Sequence, residues 1–353
     1  MATLASGLLF GVLFGFVVKR SRFCMTGLVR DIYLEKRLYN IALIAAIVAV
    51  EGLIYHGLGH LHLVRIPFYL PPFSLVSIAL GSLLFGIGAV VSSGCLTSTL
   101  VKCGDGRVAG LISLVAFVLT GYFVSAGPGK DVSKYLRSFF IVEDMLPGRR
   151  SIIPVIVFAV LAVVIVAVLY RHRKTHPKPF EIPGRYTGMR HVLCEKNWPM
   201  EPTVVIIGIL MGLAFPVSGH FGRHFGFAIV SPILSWAYTA FPARGIVGSC
   251  NPYDTMFGWG SMLVVGIVVG SLVATVVARE FSIVLPDAST AVKMVIGGVL
   301  MGLGGVWGQG CLIANGLVGT AQLSLKSWYA LVFLVLGIWM ATRLLLKPAL
   351  KKG

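Results

Sequence analysis

Gly81-Ser-Leu-Leu-Phe-Gly86-Ile-Gly88-Ala-Val-Val-Ser-Ser-Gly94-Cys95-Leu96 has a second copy in the same chain, Gly297-Gly-Val-Leu-Met-Gly302-Leu-Gly304-Gly-Val-Trp-Gly-Gln-Gly310-Cys311-Leu312. The two align without a gap, so that Gly81, Leu84, Gly86, Gly88, Gly94, Cys95 and Leu96 recur as Gly297, Leu300, Gly302, Gly304, Gly310, Cys311 and Leu312. Small residues spaced along an apolar helix let a second helix approach closely. Each helix then runs into Gly-Cys, where glycine permits a sharp backbone turn. Gly94, Leu96, Gly310 and Leu312 are the expected supports of these turns. A broken helix inside a bilayer survives only where it is buried or lines a cavity. The repeat therefore predicts two thiols, Cys95 and Cys311, facing one path through a membrane.

Composition supports that setting. The chain has 353 residues, 57% of them hydrophobic and only 12% charged, with a mean hydropathy of +0.89. This excludes a soluble globular protein and predicts an all-α polytopic membrane protein, with residues 1–353 as one transmembrane domain in the lipid bilayer. The net charge of +17 does not call for nucleic acid. Its lysines and arginines gather in a few loops, which suits membrane topogenesis, and a basic surface steers anions. Six cysteines are present and none forms a CxxC pair, so neither a zinc ribbon nor a dithiol redox motif is expected, and no metal or cofactor. The apolar N-terminus has no basic region before it and no cleavage site, and reads as a retained first span.

Ten apolar stretches follow one another, at about 3–18, 41–59, 73–91, 108–126, 152–170, 203–217, 225–240, 256–278, 292–307 and 328–346. Basic residues set their orientation. The loop after the first stretch holds Lys19, Arg20, Arg22, Arg30, Lys36 and Arg37; the central loop holds Arg171, Arg173, Lys174, Lys178, Arg185 and Arg190; the tail holds Lys347, Lys351 and Lys352. Short basic loops favour the cytoplasm. All three agree only if one stretch of the second half does not cross, and 225–240 is short and contains Pro232. The expectation is about nine spans plus short re-entrant helices, in the cell's inner (plasma) membrane, with the N-terminus outside and the C-terminus cytoplasmic. Lys130, Lys134, Arg137, Arg149 and Arg150 conflict with this, since they fall on a segment expected outside.

This topology places the two Gly-Cys copies in opposite orientation. Inverted repeats with interrupted helices are a transporter signature, with the substrate site at the repeat interface. The expected halves are 1–170 and 201–353, joined by a cytoplasmic linker 171–200. A weaker echo relates Gly11-Val-Leu-Phe-Gly15 to Gly208-Ile-Leu-Met-Gly212. A third cysteine, Cys24, ends the first span in Ser21-Arg22-Phe23-Cys24, whereas the second half offers Gly222-Arg223-His224 and no thiol.

At these residues the chain resembles the YeeE/YedE family of membrane proteins, the sulfur-transport family that includes thiosulfate importers. The matching features are Arg22-Phe23-Cys24 with Gly27 and Arg30-Asp31, Ser93-Gly94-Cys95, and Gly297 through Gly310-Cys311. Further matches are Arg279-Glu280-Phe281 with Asp287-Ala288, and Asn315-Gly316-Leu317 with the segment bearing Trp328. The resemblance covers essentially the whole length. It implies an hourglass-shaped inverted-repeat fold with nine spans and several short helices. It also implies that Cys24, Cys95 and Cys311 line the path and hand thiosulfate along by thiol hydrogen bonds, with a small cytoplasmic sulfur-carrier protein as partner. The chain departs from the family in Ser92-Ser93 and Gly308-Gln309, where glycine or alanine is common. Cys103, Cys194 and Cys250 lie outside the family pattern.

The chemistry can also be argued from the residues. A dianion entering hydrocarbon meets a large desolvation cost, and fast passage needs sites that are favourable yet weak and multiple. A neutral thiol is a weak donor, and backbone N–H groups at the start of the helices after Cys95 and Cys311 add positive partial charge. Soft sulfur suits a sulfur-bearing anion, thiosulfate or a related oxyanion. The alternatives are a transporter of another sulfur or selenium species, and a membrane thiol oxidoreductase or sulfurtransferase, which would need a resolving cysteine. A lone membrane cysteine is ordinarily a small apolar filler; duplication lifts Cys95 and Cys311 above that reading, and Cys103, Cys194 and Cys250 stay within it. His56, His60 and His62 have metal-like spacing but no acidic or cysteine company, and read as an interfacial loop. Glu51 is an acid in an apolar stretch, a candidate for proton coupling by default.

Overall fold

A computed structural model describes residues 2–36, 39–63, 69–145, 152–175, 198–221, 223, 226–241 and 256–346. Among these residues nine helical segments are long and apolar enough to cross a membrane. They are built on α1 (Ala2–Ser21), α3 (Tyr39–His60), α4 (Leu75–Val91), α6 (Val108–Ser125), α8 (Ile153–Thr175), α9 (Met200–His220), α11 (Trp259–Val277), α12 (Ala288–Trp307) and α14 (Leu325–Ala341). Short helices lie between them: α2 (Met25–Glu35), α5 (Leu96–Gly104), α7 (Lys130–Arg137), α10 (Val230–Ala240) and α13 (Gly319–Ala321). The expected non-crossing stretch 225–240 is thus an 11-residue helix, too short to span. Polar caps fix where several of the long helices begin. Asp287 accepts from the Thr290 N–H at 3.3 Å and opens α12. Ser74 and Ser324 cap α4 and α14 alike, accepting from the N–H of Ser77 and Ser327.

Glycines decide which helices touch. A Cβ on Gly81 would strike the backbone at Trp307 and Gly308, one on Gly88 the backbone at Gly297, and one on Gly304 the backbone at Gly81 and Phe85. Residue numbers fall along one helix as they rise along the other, so α4 and α12 are antiparallel, seam to seam. The echoed glycines also find equivalent places. Gly11 and Gly15 lie on Leu263, Gly266 and Ile267 of α11, and Gly208 and Gly212 lie on Val50 and Ile54 of α3. In both pairs the numbers rise together, so the helices run parallel. α6 packs on α12 through Gly298 and Gly302, and α14 on α4 through Gly337 and Gly86. Exchanging α1, α3, α4 and α6 for α9, α11, α12 and α14 leaves this set of pairings unchanged. α8 stands outside it, most of its large side chains exposed and Pro154, Phe158, Ala162, Ile165 and Leu169 buried.

Two features depart from the sequence reading. The all-helical expectation misses an antiparallel ribbon, β1 (Tyr69–Ser74) paired with β2 (Ile141–Met145). β2 carries Asp144, which accepts from the Ser324 hydroxyl at 2.6 Å and the Leu325 N–H at 2.8 Å, fixing the start of α14. His56 and His60 are not in a loop; both belong to α3, and the His56 ring nitrogen lies 3.2 Å from the Ala321 carbonyl. The linker residues 176–197, the tail 347–353, Cys194 and Cys250 lie outside the described residues.

Candidate functional site

Among the described residues α1, α3, α4, α5, α11, α12 and α13 all end in the same turn, and those after α1, α4 and α12 each deliver one cysteine. At the end of α1, Arg22 N–H bonds the Lys19 carbonyl and Phe23 N–H the Val18 carbonyl. At the end of α4, Ser93 N–H bonds Val90 and Gly94 N–H bonds Ala89; after α12, Gln309 N–H bonds Val306 and Gly310 N–H bonds Gly305. This is the Schellman pair of hydrogen bonds. It needs a left-handed residue, supplied by Arg22 at φ 54°, Ser93 at 56° and Gln309 at 49°. Gly94 and Gly310 follow at φ 154° and 156°, where a side chain is rarely tolerated. Cys24 escapes the sequence repeat because its turn closes on Phe23, which keeps an ordinary negative φ and needs no glycine.

After each of these three turns the cysteine opens a short helix. Cys24 and Cys95 are the N-cap residues of α2 and α5. Cys311 precedes a helical run 312–321 that contains a π-turn, Ala314–Val318, before α13. The Cys24 sulfur accepts from the Gly27 N–H at 3.4 Å and the Cys311 sulfur from the Ala314 N–H at 3.4 Å. The Cys95 sulfur makes no such cap bond. It faces the Ser98 hydroxyl at 3.9 Å, and the same hydroxyl is 3.3 Å from the Cys24 sulfur. Ser98 thus joins two thiols that lie far apart in sequence. Cys95 also lies within electrostatic range of Cys311. Cys95 and Cys311 are buried and Cys24 is half-buried; all three thiols are free. Leu96 and Leu312, directly behind them, are fully buried. Cys103, half-buried on α5, does not follow such a turn; its carbonyl accepts from Gly106 in the turn that closes α5.

Each break also presents the carbonyl end of a helix beside its thiol, and a helix C-terminus repels an anion. Cations sit on both ends. The Lys102 ammonium donates to the Ser92 and Ser93 carbonyls, 3.0 Å each. Arg137, from α7, donates to the Val306 carbonyl at 2.8 Å. Arg137 is one of the basic residues that conflicted with the charge rule, and here it has a structural partner. Sequence reasoning missed Ser98, Lys102 and Arg137. Ser98 and Lys102 were within reach, as the positions after Cys95 on the short helix that points back at the turn. Behind the site, Asp105 accepts from Lys19 at 2.7 Å, Ser271 at 3.0 Å and Thr275 at 2.8 Å, clamping α1, α5 and α11 together.

Residues 20–340 match the family described as sulphur transport. The chain belongs to that family. The matched span includes all three cysteine turns. Among relatives, the thiosulfate transporter TsuA of Escherichia coli is 34% identical over 96% of this chain and 93% of its own length. TsuA of Spirochaeta thermophila is 28% identical, covering 95% and 96%. The probable transporter YedE of Escherichia coli is 23% identical over 45% of this chain and 41% of its own length. Membership of a transport family supports reading this sulphur-transport chain as a transporter and not as an enzyme, which sets the oxidoreductase and sulfurtransferase alternatives aside.

Proposed function

We propose that this chain imports thiosulfate across the plasma membrane along a path lined by Cys24, Cys95 and Cys311. The observation that carries the reading is that three helix-ending turns are each followed by a cysteine that opens a short helix. Such a site offers an anion one weak thiol donor and a set of backbone N–H groups, and at the two Gly-Cys breaks the nearby cations Lys102 and Arg137 are engaged by helix carbonyls. Donors of that strength let the anion move on, as multi-site conduction requires. The relatives named thiosulfate transporters support the choice of anion, and the soft thiol sulfur suits thiosulfate's terminal sulfur. The paired packing of the helices supports two inverted halves, 1–170 and 201–353. The basic loops support an outside N-terminus, a cytoplasmic C-terminus and a cytoplasmic face where a small sulfur-carrier protein docks.

The test is uptake of thiosulfate labelled on both sulfurs into proteoliposomes holding this chain alone. Arrival of both labels in one molecule is the expected result. Arrival of a single labelled sulfur would overturn passage of the intact anion. Reporters fused near Thr175 and Lys351 should both give a cytoplasmic signal; opposite signals would break the nine-span orientation.

A further inference from the structure

Glu51 is the acid in this membrane domain that the thiol path does not use. It lies midway along α3, is 0% exposed, and neither carboxyl oxygen has a hydrogen-bond partner among the described residues. We infer that Glu51 is a proton-binding site whose protonation state is linked to the position of the Cys311 helix, so that the anion enters together with a proton. The inference rests on the import reading above.

The surroundings carry the argument. An unpaired carboxylate in an apolar interior is strongly disfavoured, so burial at this position favours the neutral acid. Among the described residues Glu51 makes no ion pair and no hydrogen bond. On α3 itself its titratable neighbours are Tyr55, one turn on, and His56. α8 contributes the Phe158 ring, which covers Gly52 and stacks on His56. α9 contributes Gly208 and Phe215, the latter 4.5 Å from Tyr55 between ring centroids. The Cys311 helix contributes the Ala321 carbonyl, bonded to His56, and the neutral Gln322 beside the Tyr55 hydroxyl.

Two of these groups are donors in waiting. The Tyr55 hydroxyl and the Gln322 amide nitrogen are both buried, and neither makes a hydrogen bond among the described residues. A carboxylate needs donors of this kind, and it cannot form before Gln322 and Tyr55 are brought onto it. Gln322 ends the very helix that Cys311 begins, and the π-turn Ala314–Val318 lies between them. π-turns are irregular segments that recur at functional sites and permit a change of register. Loss of the proton thus favours one position of the Cys311 helix and gain of the proton another, which is a linkage between two sites. A dianion entering a cell works against an inside-negative potential. Each proton carried with it cancels one charge of that work.

The experiment uses proteoliposomes with the membrane potential clamped at zero. Thiosulfate stays a dianion across the pH range used, so any pH response belongs to the protein. An acid exterior should accelerate wild-type uptake several-fold. Glu51→Gln keeps the shape of the neutral acid and should exchange thiosulfate across the membrane while ignoring the pH gradient. Glu51→Asp should recover part of the response. Wild-type uptake indifferent to the gradient overturns the inference, as does a Gln variant that still responds. A Gln variant that loses exchange as well overturns it too, because the carboxyl would then be needed for passage itself. Failure of wild type to carry thiosulfate under any gradient strikes the import reading instead, and leaves a different signature.

Discussion

The two Gly-Cys breaks have the same backbone and different furniture. Ser92 and Gly308 are equivalent positions, and both carbonyls are capped. Lys102 caps the first with a charged ammonium, and Asn315 caps the second with its neutral amide at 3.0 Å. Ser98 in the first break holds a hydroxyl against two thiols, and its counterpart Ala314 in the second offers its backbone N–H to Cys311. The first break leaves its sulfur uncapped beside a cation and a second thiol. The second break caps its sulfur and draws its cation, Arg137, from outside the repeat. Duplication accounts for the turns. On the proposed path, Cys95 offers an anion a further hydroxyl, Ser98, and a cation from the short helix of the same break, Lys102.

Removing either thiol should have the largest effect. Cys95→Ala and Cys311→Ala are expected to abolish thiosulfate uptake in vesicles at matched expression, while Cys103→Ala leaves it near wild type. Cys95→Ser and Cys311→Ser separate size from softness. Serine keeps one donor hydrogen but is less polarizable, and both variants should behave like alanine. Wild-type rates in the serine variants would show that shape and any donor suffice. A clear difference between the two positions would show that the breaks are not equivalent steps.

The Ser98 hydroxyl comes next. Its loss removes a hydrogen-bonding group shared by Cys24 and Cys95, an effect of about 1 kcal/mol, or less than about tenfold in rate. Ser98→Ala should slow uptake within that range, and Ala314→Ser in the second break should not compensate. A Ser98→Ala variant as dead as Cys95→Ala would mean that the hydroxyl is itself a transfer site.

Lys102 tests the electrostatic half of the comparison. Lys102→Gln keeps a donor for the carbonyls and removes the charge, and it should lower uptake a few-fold. Lys102→Arg should restore it. Because screening weakens a partly exposed charge, the deficit should shrink as ionic strength rises. Equal uptake by the glutamine and wild-type proteins, with no salt dependence, would reduce Lys102 to a helix cap.

How much of this was legible in the sequence depends on range. The Gly-Cys turns and the glycine seam of α4 and α12 are local patterns, and both copies read the same way. The glycines of the weaker echo in α1 and α9 approach α11 and α3 closely, as glycine spacing on an apolar helix allows. The contacts that equip the site are long-range. Nothing near Cys24 points to Ser98, and nothing near Arg137 points to Val306, since each meeting is made by folding. The ribbon of β1 and β2 was missed because its strands are short and distant in sequence. His56 was misplaced because an aromatic ring in a span reads as an interfacial residue until Phe158 and Ala321 are seen to enclose it.

The smallest effect tests why this chain carries Ser93 and Gln309 where glycine is common. Both residues sit in the left-handed region, at φ 56° and 49°, which costs a side-chain-bearing residue roughly 1–2 kcal/mol. Glycine relieves that strain but frees the unfolded chain, which takes back about 0.4–1 kcal/mol. Ser93→Gly and Gln309→Gly should therefore each stabilise the folded protein by about 1 kcal/mol or less, seen as a small rise in thermal midpoint in detergent. The comparison enters through what the side chains do. Gly94, next to Ser93, lies against Ser98 and within 3.7 Å of the Lys102 ammonium at its would-be Cβ, so loosening this turn disturbs the shared hydroxyl and its cation. Gly310, next to Gln309, lies against Asn315, whose amide is held by the Gly308 carbonyl. Equal stabilisation is thus expected, with uptake slowed only at the first break. Slowing at the second break alone would place the tighter control at Cys311 and reverse the order of the two sites.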